Sequence, residues 1–338
     1  MPAKVLVTPH LLKQGGPHQQ ILIDAGFEIL YPPENANTLD PRVIDQLLRS
    51  DSEIVAMIAS TEPLTREILQ GSHLKVVARL GVGFDSIDIP AATDLGIPIT
   101  ITPGTLEDSV AEQTLAMLLA VTRGIITRDR EVRSGTWQRQ PLPRLNGRTF
   151  GLVGMGRIGR AIIPRVQGLG MRVIVLDPAV SPEAVGPFAV EIAADLDQLL
   201  VEADVVSLHV PCTPTTENMI NSATLKKFKP NAVLINTSRG GLIDEAALVH
   251  ALQQGQLLGA ALDVFHDEPL PLDSPLLECD NIVLSTHVAG IDLDTTELAG
   301  RMAAESITAL ATGHWPAGCV VNDRLRVNWN WDSARTSS

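Results

Sequence analysis

The sequence predicts an α/β protein with two doubly wound parallel sheets, and three observations support this. Short apolar strands alternate with helical stretches through most of the 338 residues, a pattern typical of parallel sheets covered by helices. The run Thr102-Pro103-Gly104 interrupts that alternation and divides it into two parts. In the second part, a strand leads into a turn with glycines at 154, 156 and 159, and a helix comes next.

The composition narrows the class of protein. The chain is 45% hydrophobic and 19% charged, as in a packed soluble protein, and no apolar run approaches the ~18 residues that span a membrane. A net charge of −13 argues against a nucleic-acid partner. The three cysteines, Cys212, Cys279 and Cys319, are far apart and odd in number. They predict neither a disulfide framework nor a metal site, so we expect a reducing, cytoplasmic location.

The first part ends in a turn that could bind an anion. Its predicted strands are 4–7, 27–30, 54–58 and 75–78, and its predicted helices lie near 17–25, 41–49 and 64–70. Gly81 and Gly83 come after the last strand, and two such glycines expose backbone N–H groups that can hold a carboxylate. Arg79 adds a positive charge, although a plain loop with a surface arginine fits the same spacing.

A long helix is predicted to begin at Asp108-Ser109, with Ser109 and Glu112 spaced as a capping box. Its apolar residues are Val110, Leu115, Met117, Leu118 and Val121, which run nearly all round the helix and predict that it is buried. Residues 124–147 are rich in arginine and glutamine and contain Trp137, Pro141 and Pro143. We interpret this stretch as an arm outside the core.

The glycine turn of the second part has the context of a dinucleotide site. Gly154 permits the tight turn, Gly156 allows close approach of a pyrophosphate, and Gly159 allows the helix to pack closely on the strand. The strand 172–176 ends at Asp177, whose carboxylate would accept bonds from ribose hydroxyls and repel a 2′-phosphate. The alternative is an ordinary glycine-rich turn, but this context favours NAD over NADP.

The remaining pattern of the second part completes a six-stranded sheet. Predicted strands are 149–153, 172–176, 205–210, 232–235, 259–262 and 281–284, with helices near 195–202, 222–228 and 244–254. Pro164 falls inside the helix after the turn, where a proline costs ~3 kcal/mol or kinks the helix. A helix over 295–311 would return the chain to the first part, and residues 333–338 are predicted to be mobile.

Three polar residues lie where predicted strands end, which is where open α/β sheets bind ligands. Arg239 can clamp a carboxylate and polarise a carbonyl, His287 can exchange a proton near neutral pH, and Glu268 can orient that histidine. Each alone fits a structural role: a core histidine, a strand cap or a solvated turn. Together, downstream of the dinucleotide turn, they favour hydride transfer at a 2-hydroxy acid.

At these residues the chain closely resembles the D-isomer-specific 2-hydroxyacid dehydrogenases, from about residue 74 to 322. The matching motifs are Gly81-Val82-Gly83-Phe84-Asp85, Thr102-Pro103-Gly104, Ser109-Val110-Ala111-Glu112, the glycine turn, Asn236-Thr237-Ser238-Arg239-Gly240-Gly241, Ala261-Leu262-Asp263-Val264-Phe265 with Glu268-Pro269, and His287-Val288-Ala289-Gly290. The resemblance implies a Rossmann NAD-binding domain, 103–292, inserted into a flavodoxin-like substrate-binding domain, 1–102 and 293–338. It also implies a homodimer built largely on the cofactor domain and the arm.

The same resemblance implies roles for individual residues. Arg239, Glu268 and His287 correspond to the catalytic residues, and Val82 and Gly83 to a loop that binds the substrate carboxylate. Implied cofactor contacts are Gly154, Gly156, Arg157, Ile158, Gly159, Asp177, Val210, Pro211, Thr237, Ser238, Asp263 (on the nicotinamide carboxamide), Gly290 and Thr114.

The substrate implied by the resemblance is a small anionic 2-hydroxy acid. Within the family the chain looks most like the phosphoglycerate dehydrogenases, because Arg79 and Arg139 stand where those members carry arginines, so 3-phosphoglycerate is the first expected substrate. Reductases of hydroxypyruvate, glyoxylate or keto-sugar acids are the alternative within the family. Glu268 argues against formate, since formate dehydrogenases of the family carry glutamine there. An alternative of another class is a dinucleotide-sensing scaffold of the co-repressor type, which shares this fold.

Overall fold

The computed structural model describes residues 2–12, 14–180 and 185–332, and the chain divides into two compact units. Unit 1 comprises Met1–Leu106 and Asp292–Ser338, and unit 2 comprises Glu107–Ile291. The sequence placed the first boundary at 102/103, before Pro103. In the structure residues 103–106 also belong to unit 1, where the Thr105 carbonyl accepts a hydrogen bond from the Thr295 hydroxyl.

Elements are numbered in chain order. The strands are β1 (Lys4–Val7), β2 (Glu28–Leu30), β3 (Ile54–Ala59), β4 (Val76–Arg79), β5 (Ile99–Thr100), β6 (Thr149–Val153), β7 (Arg172–Leu176), β8 (Glu191–Ile192), β9 (Val205–Leu208), β10 (Ala232–Asn236), β11 (Leu257–Leu262) and β12 (Ile282–Leu284). The helices are α1 (Pro17–Asp24), α2 (Pro41–Arg49), α3 (Arg66–Gly71), α4 (Ile89–Asp94), α5 (Glu107–Arg123), α6 (Ile125–Arg133), α7 (Arg157–Gly168), α8 (Leu196–Glu202), α9 (Ser222–Leu225), α10 (Glu245–Gln253) and α11 (Leu293–Ala311).

Unit 1 contains a parallel sheet in the order β2-β1-β3-β4-β5. This is the flavodoxin-like doubly wound order, which confirms the predicted fold, although the two-residue strand β5 was not predicted. Successive residues of β3 enter different hydrophobic clusters, with Ala56 and Ile58 in one and Met57 and Ala59 in the other. Because side chains alternate across a strand, β3 is buried on both sheet faces, which explains its continuous apolar sequence.

Unit 2 contains a parallel sheet in the order β12-β11-β10-β9-β6-β7-β8. If the strands are counted from β6, the first strand of this unit, the sheet has the Rossmann order 3-2-1-4-5-6, and β12 is an additional strand at its edge. The predicted fold is therefore confirmed. The sequence predicted six strands and missed β8, the two-residue edge strand Glu191–Ile192, whose side chains are exposed. So short and exposed a strand leaves no apolar pattern to detect. The sheet order reverses at β6, which pairs with both β7 and β9.

Helix α5 begins at a different residue from the one that the sequence predicted. It begins at Glu107, so Ser109 lies within the helix and the predicted capping box is wrong. Val110, Met117 and Leu118 are buried as expected, whereas Leu115 and Val121 are partly exposed.

The segment after α5 leaves the core. The arm comprises α6, which buries no side chain, and then an exposed stretch in which Trp137 is 80% exposed. Among the described residues no single helix is long and apolar enough to cross a membrane, although α5 and α6, bent by 57°, would pass such a test together.

The C-terminal tail packs onto unit 1 through its tryptophans. The Trp329 indole N–H donates to the Gly96 carbonyl at 2.9 Å, and Trp331 packs edge-on against Phe27 at 6.0 Å. Lys75 donates to the Trp331 carbonyl at 2.9 Å. The tail is therefore held as far as Asp332, and residues 333–338, predicted to be mobile, lie outside the described residues.

Candidate active site

The three glycines of the turn after β6 meet three different steric demands. Gly154 has φ +96°, and a Cβ there would lie 2.4 Å from the His209 carbonyl oxygen. A Cβ on Gly159 would lie 2.3 Å from the Gly154 carbonyl oxygen, where α7 crosses the turn. A Cβ on Gly156 would meet no atom within 4 Å. Gly154 and Gly159 therefore allow close packing, and Gly156 leaves space at the start of the helix.

The N-terminus of α7 supplies donors beside that space. The first intrahelical bond runs from the Arg160 N–H to the Gly156 carbonyl, which leaves the N–H groups of Arg157, Ile158 and Gly159 directed outward. No described side chain caps this terminus. An anion at such a position gains hydrogen bonds and the favourable end of the helix dipole, so a pyrophosphate fits the donors present.

Asp177 comes directly after β7 and faces the same turn. One carboxylate oxygen accepts the Met155 N–H at 2.8 Å, and the other accepts the Ala179 N–H at 2.9 Å. Each oxygen keeps acceptor capacity, and the side chain is partly exposed. The carboxylate is therefore fixed beside the glycine turn, where it can accept bonds from ribose hydroxyls.

Glu268 and His287 form a close pair in unit 2. The His287 Nδ1 atom lies 2.6 Å from Glu268 Oε2, and the Phe265 N–H donates to Glu268 Oε1 at 3.0 Å. Burial raises the pKa of Glu268, but the hydrogen bonds from His287 and Phe265 and the charges of His287 and Arg239 outweigh it, so the net pKa lies below its usual range. With the carboxylate ionised, Nδ1 must be the donor, and Nε2 is directed elsewhere.

Arg239 lies on a loop that packs tightly against the Glu268 loop. Asn236, the last residue of β10, donates to the Arg239 carbonyl at 2.8 Å and accepts the Ser238 N–H at 3.0 Å. A Cβ on Gly240 would lie 2.0 Å from the Phe265 backbone, so only glycine permits this approach. The structure thus brings the predicted Arg, Glu and His together, because Arg239 is close enough for its charge to lower the Glu268 pKa.

His287 has a backbone conformation that the chain must enforce. Its φ is +55°, in the left-handed region that costs a non-glycine residue about 1–2 kcal/mol. Three successive N–H groups, those of His287, Val288 and Ala289, donate to Asp263, the first to its carbonyl and the other two to its carboxylate, at 2.8, 3.0 and 2.8 Å. The Ser285 hydroxyl also donates to this carboxylate.

Asp263 therefore lies beneath the loop that carries His287. Its side chain is 0% exposed, and both carboxylate oxygens accept bonds from that loop. Its role as a contact of the nicotinamide carboxamide stays a prediction, and in the structure its carboxylate binds Ser285, Val288 and Ala289.

Other predicted cofactor residues separate into surface and interior positions. Val210, Pro211, Ser238 and Gly290 are partly or fully exposed, and the Ser238 hydroxyl donates to the Val210 carbonyl at 2.7 Å, which ties the ends of β9 and β10. Thr114 is 0% exposed and Thr237 is 9% exposed, and their hydroxyls lie 3.2 Å apart. The structure thus places the Thr114 side chain on the buried face of α5, beside the end of β10 and in the interior of unit 2.

The turn after β4 belongs to unit 1. Gly81 has φ +127°, and Gly81 and Thr102 exchange two hydrogen bonds of 2.9 Å. The Arg79 guanidinium donates to the neighbouring Leu80 carbonyl and lies 3.1 Å from where a Gly81 Cβ would be. Val82 and Gly83 are partly exposed, and Arg139 is exposed on the arm. The Arg79 side chain thus packs against its own turn.

Asn236 and Ser285, which hold the Arg239 and His287 loops, were not among the predicted site residues. A detectable signal exists for Asn236, a polar residue ending the otherwise apolar run of β10. No group of three or more His, Cys, Asp or Glu side chains within residues 2–12, 14–180 and 185–332 could hold a metal ion.

Fold and site together define a nicotinamide-dinucleotide dehydrogenase, and comparison with known proteins specifies the family. The family model for the NAD-binding domain of D-isomer specific 2-hydroxyacid dehydrogenases matches residues 115–289. The chain belongs to this family, and it is an NAD-dependent oxidoreductase.

Individual relatives differ in how much of their length the chain covers. It is 40% identical over 291 residues to a glyoxylate reductase of Thermofilum pendens, covering 84% of this chain and 86% of that one. A D-3-phosphoglycerate dehydrogenase of Methanocaldococcus jannaschii is 38% identical over 266 residues, covering 78% of this chain but 50% of that one. The solved structure of D-lactate dehydrogenase from Aquifex aeolicus, complexed with NAD and lactic acid, superposes with a TM-score of 0.81 at 29% identity, covering 94% and 99%.

Proposed function

We propose that this dehydrogenase reduces a small, unphosphorylated 2-keto acid to the D-2-hydroxy acid, with His287 as the proton donor. The observation that carries the proposal is the 2.6 Å contact between His287 Nδ1 and Glu268 Oε2. An ionised Glu268 accepts the Nδ1 proton, which fixes the ring and leaves Nε2 to serve the substrate oxygen. Arg239 binds the substrate carboxylate and polarises the carbonyl.

The cofactor supplies the hydride when it is bound. The turn of Gly154, Gly156 and Gly159 and the N–H groups of Arg157 and Ile158 would hold its pyrophosphate. Asp177 would accept the ribose hydroxyls, which favours NADH over NADPH because a 2′-phosphate would meet the carboxylate. Val210, Pro211, Ser238 and Gly290 are further candidate contacts on the same surface of unit 2.

Two findings favour an unphosphorylated substrate such as glyoxylate or hydroxypyruvate. Two relatives named glyoxylate reductase are each 40% identical to the chain. The Arg79 guanidinium is also engaged with its own turn. We propose Val82 and Gly83 as carboxylate-binding residues. Phosphoglycerate is the second candidate, supported by 38% identity and by Arg79 and Arg139.

We further propose a homodimer formed through the arm. Residues 124–147 contain five arginines and two carboxylates in a chain of net charge −13. The same segment exposes Ile125, Val132 and Trp137, at 55, 58 and 80%. Apolar side chains among arginines are typical of an interface, here with a second copy that is acidic elsewhere. Sedimentation equilibrium should give a dimer mass, and Trp137→Ala should weaken it. A monomer at micromolar concentration contradicts this proposal. A cytoplasmic location stays a prediction from the cysteine content.

The test of function is a panel of glyoxylate, hydroxypyruvate and 3-phosphohydroxypyruvate with NADH and with NADPH. We expect turnover with the first two and little with the third. His287→Ala should lower kcat by about 10²–10⁴-fold, as loss of an acid–base group does, and leave NADH binding unchanged.

His266→Ala is the matched control, because His266 is an exposed histidine on the loop of Glu268 and pairs with Asp267. Its kcat should equal that of the parent. Preference for the phosphorylated substrate would reverse the order of the two candidates. Absence of turnover with every member of the panel would favour the scaffold alternative.

A further inference from the structure

The loop that carries His287 is held on one side by Asp263 and on the other by helix α5. The Ser109 hydroxyl donates to the Ala289 carbonyl at 2.8 Å, and Ser109 is 8% exposed. Asp263 accepts hydrogen bonds from the N–H groups of residues 287–289. The Ser109 hydroxyl instead donates to a carbonyl of the same loop, so the two residues hold different backbone groups. Gln113, one turn further along α5, donates to Ser285 at 3.3 Å.

We propose that Ser109 is a positioning residue for His287. The proposal rests on the proposed function, in which His287 is the proton donor. The left-handed conformation of His287 is strained, and such strain persists only where the surroundings over-determine it. Asp263 alone would leave the Ala289 carbonyl free to rotate. The Ser109 bond fixes that carbonyl and thereby the peptide plane that comes after the strained segment.

The place of this bond in the chain explains why it is needed. Ser109 lies near the first residue of unit 2 and Ala289 near the last, so the bond joins the two ends of the unit. His287 lies four residues before the last residue of the unit, Ile291, so the bond holds the segment that carries His287 against the first helix of the unit.

The test compares hydroxyl deletions at two buried positions of α5. In Ser109→Ala the helix is retained, because alanine is the better helix former. Thr122→Val is the matched control, since the Thr122 hydroxyl is also buried but bonds only the Leu118 carbonyl of its own helix. Ser109→Thr keeps the hydroxyl and should rescue the deletion.

Ser109→Ala should lower kcat on the order of 10-fold, less than the ~10²-fold that a 1 Å misplacement can cost. The KM for the keto acid and the Kd for NADH should change by less than about 2-fold, because the loss concerns alignment rather than ground-state binding. Thr122→Val should leave kcat at the parent value, and Ser109→Thr should restore most of it.

Amide hydrogen exchange gives a readout that needs no substrate. The N–H groups of residues 287–289 should exchange roughly 10-fold faster in Ser109→Ala and at the parent rate in Thr122→Val. Unchanged exchange in Ser109→Ala, or an equal loss of kcat in both deletions, would overturn the role of Ser109. A parent without keto acid reductase activity would contradict the proposed function alone, while faster exchange would still support the tie between Ser109 and the loop.

Discussion

The two glycine turns of this protein have similar sequences and different tasks. The turn after β4 is Gly81-Val82-Gly83, and the turn after β6 is Gly154-Met155-Gly156. Gly81 and Gly154 both have positive φ, +127° and +96°. The two turns differ in their surroundings, because residue 156 caps a twelve-residue helix, whereas the first turn is bonded to Thr102 and wrapped by Arg79. The same motif thus presents helix N–H groups in one unit and a short loop in the other.

The largest effect expected from this comparison is at Gly154. A Cβ there would lie 2.4 Å from the backbone oxygen of His209, which no side-chain movement relieves. Overpacking costs about 1–3 kcal/mol and left-handed backbone about 1–2 kcal/mol, so Gly154→Ala should lower the free energy of unfolding by roughly 2–5 kcal/mol. Urea unfolding measures this change in free energy. NADH titration should show that Gly154→Ala also loses NADH binding.

Two other glycines serve as references for Gly154→Ala. Gly81→Ala meets only the Arg79 side chain, at 3.1 Å, so its cost should be the backbone term alone, about 1–2 kcal/mol, with NADH binding retained. Gly168→Ala, in open space on α7, should be neutral or stabilising. Equal destabilisation at positions 154 and 81 would show that the contact with His209 is unimportant.

The next effect concerns the acid beside the second turn. Asp177→Ala removes an acceptor for the ribose and the charge that repels a 2′-phosphate, so the NADH-to-NADPH ratio of kcat/KM should fall by about 10- to 100-fold, the equivalent of one charge-assisted bond of ~1.5–3 kcal/mol. Asp177→Asn keeps an acceptor for the Met155 N–H and isolates the effect of charge. A parent that uses both cofactors equally would contradict the role of Asp177.

A pH effect should accompany the packing of His209 against the second turn. Burial lowers the pKa of His209 to about 3, whereas an unfolded histidine titrates near ~6.5. Between these values the unfolded chain binds more protons, so the free energy of unfolding decreases as the pH falls, by at most ~1.4 kcal/mol per pH unit for this group.

His209→Gln keeps a hydrogen-bonding partner for Ser207, which lies 2.7 Å from His209 Nε2, and should reduce the fall in Tm between about pH 7.5 and about pH 5.5. Burial also lowers the pKa of His18, which is present in both proteins. The Tm of the variant should therefore still fall with pH, but less than that of the parent. A pH dependence of Tm identical to that of the parent would mean that His209 is not the titrating group.

The smallest effect is expected at Arg79 in the first turn. Because its guanidinium bonds the Leu80 carbonyl, Arg79→Ala should loosen the turn and raise KM for glyoxylate and for 3-phosphohydroxypyruvate alike, by roughly 5-fold, about 1 kcal/mol. Arg66→Ala serves as the control, because Arg66 is an exposed arginine of the same unit that pairs with Asp94. An increase of 10- to 100-fold confined to the phosphorylated substrate would instead assign Arg79 to phosphate binding.

The sequence by itself determined the two parallel sheets, the dinucleotide turn and the Arg239, Glu268 and His287 set. Each of these has a local signal in the sequence: apolar runs for the strands, glycine spacing for the turn, and polar positions at strand ends for the candidate catalytic residues. The strands that the sequence missed are β5 and β8, which have two residues each and are too short to show a periodic pattern.

Only the tertiary structure decided how these residues are held. Ser109 looked like a helix cap in the sequence, but its partner is Ala289, 180 residues away. Asp263 stays a predicted cofactor contact, but only the structure shows that its carboxylate also binds Ser285, Val288 and Ala289. The local sequence shows which residue types occur at the end of a strand. Hydrogen bonds between distant segments depend on how the sheet brings those segments together, which cannot be predicted from a local sequence pattern.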